Sequence, residues 1–146
     1  MMNLPLHPAL VHFPIALIVT AFIFQAIHLW KMHLMCRTAS MWLLGFAALS
    51  SFGATVSGQE EATKVGQVGY ETIILETIKQ HELMANITTW GSVIVLLMWV
   101  YFFLKDTQDY RVDKLALAFL GLLSCVVLFT SYLGGTLTYI YGVGIP

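Results

Sequence analysis

Four apolar runs leave this chain little choice of fold. Each is long enough to cross about 30 Å of hydrocarbon at roughly twenty residues per crossing. They are Leu10–Trp30, Ala39–Ser57, Leu83–Leu104 and Leu115–Leu133. Of the 146 residues, 58% are hydrophobic and only 10% are charged. A soluble domain of this size leaves too much of its surface wet to hide so much apolar side chain. The expectation is an all-α integral membrane protein, a four-helix transmembrane bundle forming a single domain over residues 1–146. In lipid only helices or closed barrels satisfy their own backbone. Barrel strands would alternate apolar and polar residues, and these runs do not.

Lysine and arginine placement gives the expected orientation. Lys31 and Arg37 fall between the first and second runs, and Lys105, Arg111 and Lys114 between the third and fourth. The long middle connection carries Lys64 and Lys79 among Glu60, Glu61, Glu71, Glu76 and Glu82. The positive-inside rule then puts both termini, and the long loop between helices 2 and 3, outside. The first run has no basic leader and is too long for a signal-peptide core, so it reads as a retained span. The net charge of -1 says nothing about partners beyond the lipid bilayer, and no nucleic acid is expected.

Inside the runs, Pro14 removes the donor for the Leu10 carbonyl and should bend the first helix beside His12. Small residues at Ser50, Ala54 and Gly58, and at Gly121, Ser124, Cys125 and Gly135, form stripes that let helices approach closely. Cys125 reads as a small buried hydrophobe. With Cys36 in a loop, the two cysteines are not placed for a disulfide or a metal site. Ile74, Ile78, His81 and Ala85 share one helical face, so the third helix should begin near Gly69 and carry His81 inward. The Gly134-Gly135 pair should end or loosen the fourth helix, with Tyr139 and Tyr141 returning along the interface.

The five histidines carry the chemistry. His28 and His33 sit near Lys31 and read as solvated interfacial residues. His7, His12 and His81 converge on the opposite end. An imidazole on a membrane helix is costly unless it binds, pairs or titrates. One reading is a hydrogen-bonded imidazole at a wet interface. Another makes His12 and His81 axial ligands of haem b on facing helices, with His7 and Tyr139 as supporting groups and Gly134 and Gly135 admitting the cofactor edge. By depth the pair is imperfect. His12 lies about nineteen residues, or roughly 28 Å, from Lys31, whereas His81 lies about twenty-four residues, or roughly 36 Å, from Lys105. His12 and His81, with His7, would also suit copper or zinc. A cofactor-free accessory subunit of a larger membrane complex is the remaining reading, supported by the small-residue stripes. No spacing suggests a nucleophile and its base.

The opening HPALVHFPIAL, His81 at the head of the third helix and the closing SYLGGTLTYIYGVGI resemble the bacterial transmembrane family of unknown function numbered 2231. The resemblance covers nearly the whole chain. It implies four helices in a bacterial cytoplasmic membrane and an association with respiratory proteins, since related domains occur joined to Rieske iron–sulfur or c-type cytochrome domains. It therefore implies electron transfer with a redox partner. The family's opening histidines fall on His7 and His12, its third-helix histidine on His81, its glycine pair on Gly134 and Gly135, and its closing tyrosine on Tyr139. Thr136 and Tyr141 depart from the family's usual Glu and His, which argues against a ligand from the tail.

Overall fold

The computed structural model describes residues 6–65, 69–107 and 109–143. A short helix α1 (Leu6–Leu10) leads into α2 (His12–Lys31), followed by α3 (Leu34–Val65), α4 (Thr72–Lys105) and α5 (Tyr110–Gly135). Four segments are long and apolar enough to cross a membrane: His7–Lys31, Leu34–Thr63, Thr72–Lys105 and Tyr110–Ile140. No strand occurs among the described residues.

The α1–α2 break falls at Val11, three residues before Pro14, where the proline withholds its N–H from Leu10. Met32 closes α2 in the left-handed region, with φ 54°, and its N–H returns to the His28 carbonyl. The third span starts at Thr72, shortly after Gly69, whose φ of 73° suits a residue without a side chain. At 34 residues, α4 reaches roughly 51 Å, so it extends well beyond a hydrocarbon core.

The glycine pair does not break the last helix. Gly135 keeps helical angles, and the chain widens into one π turn over Thr136–Ile140. There the Tyr141 N–H reaches back five residues to the Thr136 carbonyl at 3.2 Å. Such π turns commonly mark functional sites.

Each helix packs on its sequence neighbour, and α2 also packs on α5, which closes the bundle. Ile18, Ala21, Leu44, Ala47, Val95, Trp99, Leu120 and Val127 form its core. Trp42, Leu49, Ile94, Leu97, Leu122 and Phe129 point outward, as side chains facing lipid would. Cys125 is exposed on this outer face rather than buried. The helix presents it away from its neighbours, while Ser124 beside it turns inward.

At the end where α2 passes to α3 and α4 to α5, four polar side chains are buried together: Gln25, His28, Arg37 and Asp113. Arg37 donates through Nε to Asp113 Oδ1 at 2.7 Å and through Nη1 to the Thr107 carbonyl at 2.7 Å. His28 Nε2 lies 3.3 Å from Asp113 Oδ2, and Gln25 Nε2 donates to the Asp113 carbonyl at 3.1 Å. The guanidinium carbon of Arg37 also sits 4.7 Å from the centre of the Phe103 ring.

Two further sequence expectations are corrected at this end. Arg37 is a helical residue, 5% exposed, rather than a loop cation. His28 is 2% exposed rather than solvated. Both errors share a cause, because Asp113 supplies a partner that is invisible without the fold.

Removing one member of a buried ion pair strands the other, a loss of about 3–5 kcal/mol. Asp113→Ala and Arg37→Ala are each expected to destabilise the chain by that order. The double variant should lose less than the sum. Thermal unfolding in detergent measures both, and additive losses would show that the two side chains do not act as a pair.

Candidate functional site

The opposite end of the bundle gathers the beginnings of the first and third spans with the ends of the second and fourth. His7 comes from α1, its Nδ1 3.0 Å from Ser57 Oγ on α3. His81 comes from α4, its Nδ1 3.0 Å from the Thr130 carbonyl on α5. The two rings stand edge to face, with centroids 6.3 Å apart and planes at 87°. His12 is held differently. Its Nδ1 lies 2.6 Å from the Pro8 carbonyl within its own segment, and the residue is exposed.

These partners fix the tautomers. A carbonyl oxygen only accepts, so Nδ1 of His12 and of His81 must carry the hydrogen. Ser57 Oγ already donates to the Ala54 carbonyl at 2.9 Å, so it accepts from His7 Nδ1–H. With Nδ1 protonated, His12 and His81 keep Nε2 as a lone pair, and so does His7 when its Nδ1–H is given to Ser57 or to the Ala54 carbonyl. Metal-binding histidines show this pattern, with one ring nitrogen tied to an acceptor and the other turned to the ligand.

Two adjoining clefts meet at the His7–His81 pair. The larger, about 340 Å³, also takes in His12, Ser51, Thr88, Thr89, Ser131, Gly135, Thr138 and Tyr139. The smaller, about 140 Å³, is lined by Gly58, Ile78, Glu61 and Glu82 among others. Small-molecule sites are commonly a few hundred Å³.

The hydroxyls of the larger cleft have mostly spent their protons. Ser51 donates to the Ala47 carbonyl, Thr88 to Met84, Thr89 to Ala85 and Thr130 to Val126. Thr55 is left to donate to Thr89 Oγ1 at 2.8 Å. The lining is mostly apolar, with the imidazole Nε2 atoms and a few hydroxyl oxygens as its acceptors. It suits a cation or a Lewis acid.

Two glycines seat the facing rings. A Cβ on Gly58 would lie 2.8 Å from His7 Cε1, and one on Gly134 would lie 3.1 Å from His81 Cε1. Gly135 has nothing within 4 Å of such an atom. Tyr139, 86% exposed, stands at the cleft rim.

All the sequence-derived candidates thus lie at one end, but the close pair is His7 with His81, and His12 stays at the rim. The depth count contains the signal for this. His7 precedes Lys31 by about twenty-four residues, the same interval as His81 to Lys105, so both lie roughly 36 Å from the basic end. Among the described residues no three His, Cys, Asp or Glu side chains are grouped to hold a metal ion.

A family model described as "Predicted membrane protein (DUF2231)" matches residues 3–146. Neither the curated proteins nor the solved structures contain a match.

Because the atoms met by an added Cβ are the far ends of side chains, Gly58→Ala and Gly134→Ala should fold, with stability changed by only about 1 kcal/mol. The imidazoles should move. Histidine ring resonances of His7 and His81 are expected to shift in these variants and to stay put in Gly135→Ala. Unmoved resonances in all three would show that the glycines do not position the rings.

Proposed function

We propose that this chain, which belongs to the DUF2231 family of predicted membrane proteins, is a single-electron carrier that holds a b-type haem at its histidine end. The carrying observation is the His7–His81 pair: two imidazoles from separate spans, each with Nδ1 committed, on the wall shared by two clefts. No third His, Cys, Asp or Glu joins the pair among the described residues, whereas structural zinc sites take four protein ligands and a porphyrin would bring four nitrogen donors of its own. This favours haem over a bare copper or zinc ion. A haem so held supplies a one-electron couple.

The chain's own residues do the rest. Ser57 and the Thr130 carbonyl orient the two rings and keep both Nε2 atoms unprotonated. Gly58 and Gly134 let helix backbone approach the rings. His12 and Tyr139 stand at the rim, where a redox partner would meet the site. Val11, Pro14, Ile15 and Val127 supply apolar wall. Lys31, Lys105, Arg111 and Lys114 cluster at the other end. With that end in the cytoplasm of a bacterium, the cleft lies on the outer side of the cytoplasmic membrane, where respiratory partners could exchange electrons with it.

The test is haem content of the full chain, expressed in bacterial membranes and purified in detergent, by pyridine haemochrome. The expected result is about one haem b per chain, lost in His7→Ala and His81→Ala and kept in His12→Ala. A folded wild-type chain without haem, or equal haem in all three variants, would overturn the reading.

A further inference from the structure

At the other end of the bundle, His28 meets acceptors at both ring nitrogens. Its Nδ1 lies 3.0 Å from the His33 carbonyl oxygen, and its Nε2 lies 3.3 Å from Asp113 Oδ2. The carbonyl can only accept, so Nδ1 carries a hydrogen. The Asp113 carboxylate already accepts from Arg37 at Oδ1. A neutral ring would then aim its Nε2 lone pair at a carboxylate oxygen, acceptor against acceptor. One more proton turns that contact into an attraction.

We propose that His28 is an imidazolium, so that Gln25, His28, Arg37 and Asp113 form a buried proton-binding site of net charge +1 linking the first, second and fourth spans. The helix ends place the proton on the ring rather than on the carboxyl group. His28 lies in the last turn of α2, where the helix dipole favours a cation. Asp113 lies in the first turn of α5, where it favours an anion. Arg37 is near the start of α3, the end of a helix that disfavours its charge, and so it leans on Asp113 as well.

Every packed element contributes to this balance. α2 supplies His28 and the Gln25 amide, α3 supplies Arg37, and α5 supplies Asp113. From α4 comes the face of Phe103 against the guanidinium, and the turn after it gives the Thr107 carbonyl. The Tyr110 hydroxyl spends its hydrogen on the Leu29 carbonyl at 3.1 Å. The site lies at the opposite end of the bundle from the histidine cleft. It stands whether or not that cleft holds haem.

The test is solid-state ¹⁵N NMR of the full chain, labelled at histidine and aspartate and reconstituted in phosphatidylcholine vesicles at neutral pH. Sequential correlations assign His28 without a variant. The expected spectrum shows both His28 ring nitrogens protonated and the Asp113 carboxyl ionised, with His7, His12 and His81 singly protonated. In Asp113→Asn the His28 ring should lose its second proton, because the amide can donate to Nε2. A singly protonated His28 in the wild-type chain overturns the proposal, whatever the state of the carboxyl group. If Asp113→Asn does not fold, the wild-type spectrum decides alone.

Discussion

Within a bilayer, a polar atom that finds no partner inside the protein finds none at all, and this constraint arranges most of the molecule. The small hydroxyls meet it locally. Thr88, Ser92, Ser124 and Thr130 each donate to the carbonyl four residues back. Ser40 instead crosses from α3 to the Ala21 carbonyl on α2 at 2.6 Å, pinning two spans together in the core. Groups with more to satisfy cannot be served by their own helix. Imidazole, guanidinium and carboxylate therefore gather at the two ends of the bundle, where several spans bring partners to one place.

The same side chain ends in opposite states because its partners differ. His7 and His81 commit Nδ1 to partners on neighbouring helices, Ser57 and the Thr130 carbonyl, and line shared space. His28 meets two acceptors and has no lone pair to offer if both contacts attract. The first arrangement suits a Lewis-acidic centre, and the second suits storage of a proton. A tightly packed core of Ile18, Leu44, Trp99 and Leu120 separates the two ends.

The spans were legible in the sequence because backbone satisfaction in lipid demands helices and the apolar runs mark where they cross. Their limits were less so. The second helix begins at Leu34 rather than Ala39, since Cys36 and Arg37 look like loop residues until Asp113 is seen to neutralise Arg37. The inward face of His81 followed from periodicity alone. That His7 rather than His12 lies nearest His81 is written only in the count of residues to the basic end, because HPALVH makes His7 and His12 look equivalent. The interval to the basic end separates them in sequence, and in the fold the Pro8 carbonyl holds His12 while the Ser57 hydroxyl holds His7. Gly134 and Gly135 also look alike in sequence, yet one supports a ring and the other faces open space. That distinction depends on which neighbour lies across the helix, which no local pattern encodes.

The central claim is that His7 and His81 would together hold one haem iron. Electron paramagnetic resonance of the oxidised full chain in membranes tests it most directly. The account predicts a low-spin ferric signal from a haem held by two imidazoles, converted to high spin or abolished in His7→Ala and His81→Ala, and unchanged in His12→Ala. A low-spin signal that survives in His7→Ala but vanishes in His12→Ala, or no iron signal from a folded chain, would contradict it.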